Sequence, residues 1–132
     1  MKSARMIVCE LLEKLEKSAY SNLALDGVLQ SPDVSARDKA FISRLFYGVI
    51  ERKATLDYII SLYSSKSIQK LDAVILETLR MGIYQLLYMD SVPDNAAVNE
   101  SVELVKQLGK KSAAPFVNAV LRSFIRDDKK FA

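Results

Sequence analysis

The chain has 132 residues, half of them hydrophobic and 27% charged, which suits one domain with one buried core. Four glycines and three prolines are too few for an all-β sandwich, a collagen-like repeat or a disordered linker, so a mostly helical chain is expected. The net charge of +3 is modest; the absence of histidine excludes imidazole bases and His-ligated metals, and a single cysteine excludes an internal disulfide or a multi-thiolate zinc site.

In chain order, Ala4, Ile7, Val8, Leu11, Leu12, Leu15 and Ala19 recur at helical spacing, with Glu10, Glu13, Lys14, Glu16 and Lys17 elsewhere on the wheel. This predicts an amphipathic helix capped by Ser3 and running to about Ser18. The only uninterrupted apolar run before Glu10, Met6 to Cys9, is far short of a signal-peptide core. A weaker, shorter helix is expected over Tyr20 to Gln30 through Leu23, Leu25, Val28 and Leu29. After Ser31-Pro32-Asp33, Ser35 caps a long run with apolar pairs at Phe41/Ile42, Leu45/Phe46 and Val49/Ile50. A kink or break is expected over Arg52 to Thr55, with Thr55 capping a further helix through Leu56, Ile59, Ile60 and Tyr63, and Ser61 to Ser67 forming a polar loop.

From Leu71 to Met89 almost every position around the wheel is apolar, which predicts a central, buried helix. It is too short and too interrupted by Gln85 to span a bilayer. Gly82 in it is expected to let a neighbouring helix approach. Ser91-Val92-Pro93-Asp94 starts the next helix, with Ser91 or Asp94 as cap, and its stripe ends at Gly109. Ser112-Ala113-Ala114-Pro115 starts the last, which continues through Val117, Val120, Leu121 and Phe124 to about Arg126. Residues 127–132 read as a frayed tail or the start of a linker. Six or seven helices with short connections give an all-α orthogonal bundle around the central helix, soluble and cytoplasmic, with no membrane association expected.

Charge is uneven along this series: residues 1–30 are neutral, 31–70 carry +3, 71–100 carry −4 and 101–132 carry +4. Two basic stretches therefore flank one whose only cation is Arg80, a profile compatible with a basic face for phosphates and equally with helix-dipole and surface-solubility patterning.

Few residues suggest chemistry. Cys9 lies beside an apolar stripe with Glu10 and Glu13 near it, the opposite of what activates a thiol, and reads as a half-buried small side chain. Asp127-Asp128 reads as solvated; Arg80 and Glu100, the latter beside Asn99 near a helix start, are expected to meet as a structural ion pair. Gly27, Gly48, Gly82 and Gly109 are isolated, and no phosphate loop exists. The chain is therefore expected to bind rather than catalyse. The cations available for phosphate are Lys2, Arg5, Arg37, Lys39, Arg44, Arg52, Lys53, Lys106, Lys110, Lys111, Arg122 and Arg126. Among the interleaved aromatics, Phe41, Phe46 and Phe124 fall on apolar stripes and read as core, while Phe116 is expected to be reachable for stacking on a base.

Taken together, Ala4-Arg5, Ile75-Leu76-x-x-Leu79-Arg80, Tyr84-Gln85-Leu86-Leu87, Val92-Pro93, the run Ala97 to Leu104 and the run Phe116 to Arg122 resemble the NusB family over nearly the whole chain. Within that family, Tyr84-Gln85-Leu86-Leu87-Tyr88 and the Val-Asn-Ala-Val-Leu-Arg ending are more similar to the N-terminal domain of the Sun/Fmu (RsmB) ribosomal RNA methyltransferases than to free-standing NusB. That resemblance implies a NusB-like bundle over residues 1–126 that binds RNA and positions it for a separate catalytic domain of the same polypeptide. Such a domain methylates C5 of a cytosine in 16S rRNA with S-adenosylmethionine and cysteine chemistry; the chain itself would hold no cofactor and no catalytic residue. Arg5 matches the end of the family's basic N-terminal motif and Phe116 the Phe of the Phe-Val-Asn helix. With Lys2, Lys110, Lys111 and Arg122 they make up the expected RNA-binding residues, and Arg80, Asn99 and Glu100 the structural ones. Two other readings stay open: a free-standing antitermination factor that binds boxA RNA with a ribosomal protein, and a module that docks on the catalytic domain or forms a homodimer.

Overall fold

The computed structural model describes residues 2–18 and 21–131. It is all-helical: α1 (Ala4–Lys17), α2 (Ser21–Leu29), α3 (Ala36–Glu51), α4 (Lys53–Tyr63), α5 (Ala73–Tyr88), α6 (Asp94–Gln107) and α7 (Ala114–Arg126), with single 3-10 turns at Ile68–Lys70 and Lys111–Ala113. No strand occurs among the described residues. The expected extension of the α1 stripe to Ala19 and the expected start of α2 at Tyr20 lie outside the described residues.

Two helix starts follow from local chemistry alone. Ser3 and Ser35 sit in extended conformation, and their hydroxyls accept hydrogen bonds from the Met6 and Asp38 amides at 3.2 and 3.1 Å. Asp72 does the same for α5 through the Val74 amide at 2.9 Å. α5 is the centre of the bundle: every residue from Glu77 to Leu86 is buried, and α1, α3, α4, α6 and α7 all pack on it. Phe46 of α3 and Phe124 of α7 are fully enclosed in the core that results. Gly82 faces Leu121 and Ser101 so closely that a Cβ there would lie 2.9 Å from Leu121 Cδ1, so its lack of a side chain lets α6 and α7 approach as expected. Gly48 serves the same end more stringently, since its Cβ would fall on the Tyr84 ring.

Two expectations need correction. The break between α3 and α4 is the single residue Arg52, and Thr55 lies inside α4, not at its cap. Backbone bonding is continuous across it, Arg52 N–H to Gly48 O at 3.0 Å and Leu56 N–H to Arg52 O at 2.9 Å, so the chain turns without needing a capping side chain. α6 starts after Pro93 with no side-chain cap; Asp94 is its first residue and accepts instead from Lys129 Nζ at 2.9 Å. That ion pair belongs to a turn after α7 in which residues 127–130 fold back on the bundle. Tyr63 Oη donates to Asp127 Oδ2 at 2.9 Å, and the Lys129 amide donates to Phe124 O at 2.9 Å, through left-handed backbone at Asp128 and Lys129. Among the described residues no helix is long and apolar enough to cross a membrane.

Candidate nucleic-acid interface

Three helices begin at one place on the surface. The first turns of α1 (Ala4, Arg5) and α3 (Arg37, Asp38) and the start of α6 (Pro93, Ala96) border an open groove of about 730 Å³, with Phe41, Met89 and Val92 as apolar lining. The N-terminal end of each helix carries about half an elementary positive charge, so the groove attracts anions before any side chain is counted.

The side chains add to that field. Arg37, Phe41 and Arg44 are spaced by four and three residues, which places them on one face of α3, and all three line the groove. Arg44 Nη2 donates to the Tyr88 carbonyl oxygen at 2.6 Å, anchoring that side chain to the end of α5. Arg5 lies 4.9 Å over the Phe41 ring, and its Nε donates to Gln85 Oε1 at 2.8 Å. Burial lowers the Arg5 pKa and the Glu100 carboxylate opposes the drop, leaving the guanidinium charged. Asp38 is the one carboxylate in the lining; it sits in the first turn of α3, where the helix dipole favours it.

Of the six expected RNA-binding residues, the groove takes in Arg5 alone. Lys2 pairs with Glu10 at 3.0 Å on α1, and Arg122 Nε donates to Asn118 Oδ1 at 3.0 Å on α7. Phe116 is half-buried and lines a separate hollow of about 270 Å³ with Lys66, Lys70, Asp72 and Ser112; Lys66 Nζ stands 5.9 Å over its ring. Lys110 pairs with Asp72 at the same end of the bundle, 2.9 Å away, and Lys111 is exposed beside it. Asp72 caps one end of α5 and Gln85 lies in its last turn, about 20 Å further along the axis. Thus the structure puts the Arg5 groove and the Phe116 hollow at opposite ends of the central helix.

The expected pair of Arg80 with Glu100 does not form. Arg80 is buried and donates from Nε to Asp57 Oδ1 at 2.7 Å, from Nη2 to Asp57 Oδ2 at 2.9 Å, and from Nη1 to Glu77 at 3.2 Å and Glu16 at 3.4 Å. The reason is angular: Arg80 and Gln85 are five residues apart on α5, about 140° around the wheel, so Arg80 looks toward α1 and α4 while Glu100 stands near Arg5. Glu100 and its neighbour Asn99 are exposed on α6. Cys9 is fully buried, and burial, with Glu13, Glu77 and Glu10 adding to it against a hydrogen bond from Thr78, pushes its thiol up to about 12.

In the sequence Arg37 and Arg44 are two of twelve candidate cations, Phe41 reads as core, and Gln85 reads only as the polar interruption of an apolar helix. The signal present for the first three was a four-plus-three spacing directly after the Ser35 cap. The signal for Gln85 was its place as a polar residue in the otherwise apolar second half of the central Leu71 to Met89 run.

An all-helical bundle packed around one buried helix is the architecture of the NusB family, whose profile matches residues 2–126, and the chain belongs to that family. The chain is 40% identical over 126 residues to a Bacillus subtilis protein described as "Probable ribosomal RNA small subunit methyltransferase B". That match takes in 95% of the chain and 28% of the relative, so the chain spans less than a third of the methyltransferase relatives it matches. It is also 32% identical to the transcription antitermination protein NusB of Ruminiclostridium cellulolyticum, with 89% and 79% of the two chains covered. Among solved structures, T. maritima NusB superposes with a TM-score of 0.84 at 25% identity, covering 96% of this chain and 93% of that one.

Proposed function

We propose that this chain is the RNA-binding, substrate-positioning domain of a 16S rRNA (cytosine-C5) methyltransferase, partnered by ribosomal RNA and by a catalytic domain in the same polypeptide. The observation that carries the RNA reading is the convergence of three helix N-termini and three arginines on one groove with an aromatic floor. Phosphates meet amides and guanidinium groups there, and an unpaired base meets apolar surface. The methyltransferase reading is supported by the higher identity to the Bacillus subtilis protein.

S-adenosylmethionine belongs, in this reading, to the catalytic domain. No catalytic step is assigned to these residues, and the chain acts by holding its substrate.

A free-standing antitermination factor is the second reading, favoured by coverage of 79% of the Ruminiclostridium cellulolyticum NusB against 28% of the methyltransferase. The test is a titration against a 16S rRNA hairpin, a boxA RNA and a scrambled RNA, each with and without a NusE-type ribosomal protein. Preference for the 16S hairpin unaided by the ribosomal protein is the expected result. Preference for boxA, tightened by that protein, overturns it in favour of antitermination.

A further inference from the structure

The bond between Arg5 and Gln85 joins a groove-lining cation to a side chain that is itself only 1% exposed. Gln85 is held in turn: its Nε2 donates to the Met81 carbonyl oxygen one turn back on α5, at 2.9 Å. That bond fixes which end of the amide faces Arg5, so Oε1 is the atom presented and Nε of Arg5 is the donor it takes. A neutral acceptor does this without cancelling the charge of the arginine, as a carboxylate in its place would.

Phe41 fixes the remaining freedom. With Nε tied to Gln85 and one face of the guanidinium over the ring at 4.9 Å, two constraints act on one planar group. The described residues give the terminal amino groups, Nη1 and Nη2, no bond of their own, and these form the edge of the guanidinium suited to two oxygens of one tetrahedral anion. The long side chain thereby loses its rotamer freedom before a ligand arrives, and that ordering cost is absent from the binding step.

We propose that Gln85 is a positioning residue for RNA binding: it presets Arg5 so that Nη1 and Nη2 meet two oxygens of a single phosphodiester at the groove. The inference rests on the reading of the groove as an RNA site and adds a residue that touches no RNA. Gln85 sets the geometry and Arg5 makes the contact.

The test compares Gln85→Met, which keeps the size and removes the acceptor, with Arg5→Ala and the double variant, on one single-stranded 16S rRNA fragment over a salt series. Circular dichroism and thermal melting check each fold. The expected result is that Gln85→Met and the double variant both bind within about twofold of Arg5→Ala, since the two residues act as one unit. Gln85→Met also lowers the salt slope as Arg5→Ala does, by about 0.7 for one lost single-strand phosphate contact, which a merely structural residue would not do. Unchanged affinity and slope in Gln85→Met beside a loss in Arg5→Ala overturns the positioning role and leaves the groove standing, and so do losses that add in the double variant. Unchanged affinity in Arg5→Ala overturns both. The unaltered protein gives a reading that does not depend on any variant's folding: the Nε–H resonance of Arg5 is slow to exchange with solvent if Gln85 holds it, and rapid exchange contradicts the proposal.

Discussion

Arg80 and Asp57 meet side-on through two hydrogen bonds, Nε to Oδ1 at 2.7 Å and Nη2 to Oδ2 at 2.9 Å, and that fork ties the central helix α5 to α4. Glu77 and Glu16 take the remaining amino group, so one guanidinium also reaches α1. Glu77 is 2% exposed and burial raises its pKa, with Arg80 opposing the rise. Removing Arg80 therefore leaves a buried carboxylate without its counter-ion. Arg80→Met is expected to cost about 3 to 5 kcal/mol in urea denaturation, whereas a loss within about 0.5 kcal/mol would mean the network adds little to the fold.

The pair of Asp72 and Lys110 gives a pH dependence. The hydrogen bond from Lys110 holds the Asp72 carboxyl below its usual range, against the opposing effect of burial. A depressed folded pKa means stability that is present above the usual carboxylate range and disappears as pH falls through the folded value. Asp72→Asn keeps a good helix cap and removes the charge. Wild type is expected to be more stable than Asp72→Asn near neutral pH by no more than about 1 kcal/mol, as both partners are part-exposed, and the gap to close in acid. A gap that persists unchanged at low pH contradicts the assignment.

Two glycines in helices respond oppositely to alanine. At Gly48 a methyl group falls on the Tyr84 ring, and Gly48→Ala is expected to lose about 1 to 3 kcal/mol by overpacking. At Gly27 nothing lies within 4 Å of the added Cβ, and Gly27→Ala is expected to gain about 0.4 to 1 kcal/mol through the helix propensity of α2. Thermal melting of the two variants beside wild type reads the sign of each.

Cys9, with its thiol pushed up to about 12 and no solvent exposure, is expected to resist iodoacetamide at pH 8 in the folded chain and to react once denaturant unfolds it. Rapid labelling of the folded protein would contradict the buried placement.

Legibility in the sequence followed the range of the interactions involved. Ser3 and Ser35 were readable as caps because the amides they satisfy are three residues away, and α5 was readable as central because it has no polar face. The interruption at Arg52 was readable as a gap in the apolar pattern, but its length was not, since the backbone hydrogen bonds continue across it and no capping side chain is needed. Arg80 looked like an ion-pairing residue, but its partners Asp57 and Glu16 lie 23 and 64 residues away in sequence, and only the packing of α1 and α4 on α5 selects them over Glu100. The groove is a tertiary object for the same reason. Arg5 stood out by family resemblance, while its junction with Arg37, Arg44 and Gln85 exists only where three helix starts and one helix end are brought together.

The most direct test of the groove as a phosphate site is the salt dependence of binding to a labelled single-stranded 16S rRNA fragment, wild type against the Arg37→Ala and Arg44→Ala double variant. The account predicts weaker binding by the folded variant at every salt concentration, with a log–log slope shallower by about 0.7 per lost contact. Equal affinity and an unchanged slope would contradict it and move the search to the hollow around Phe116.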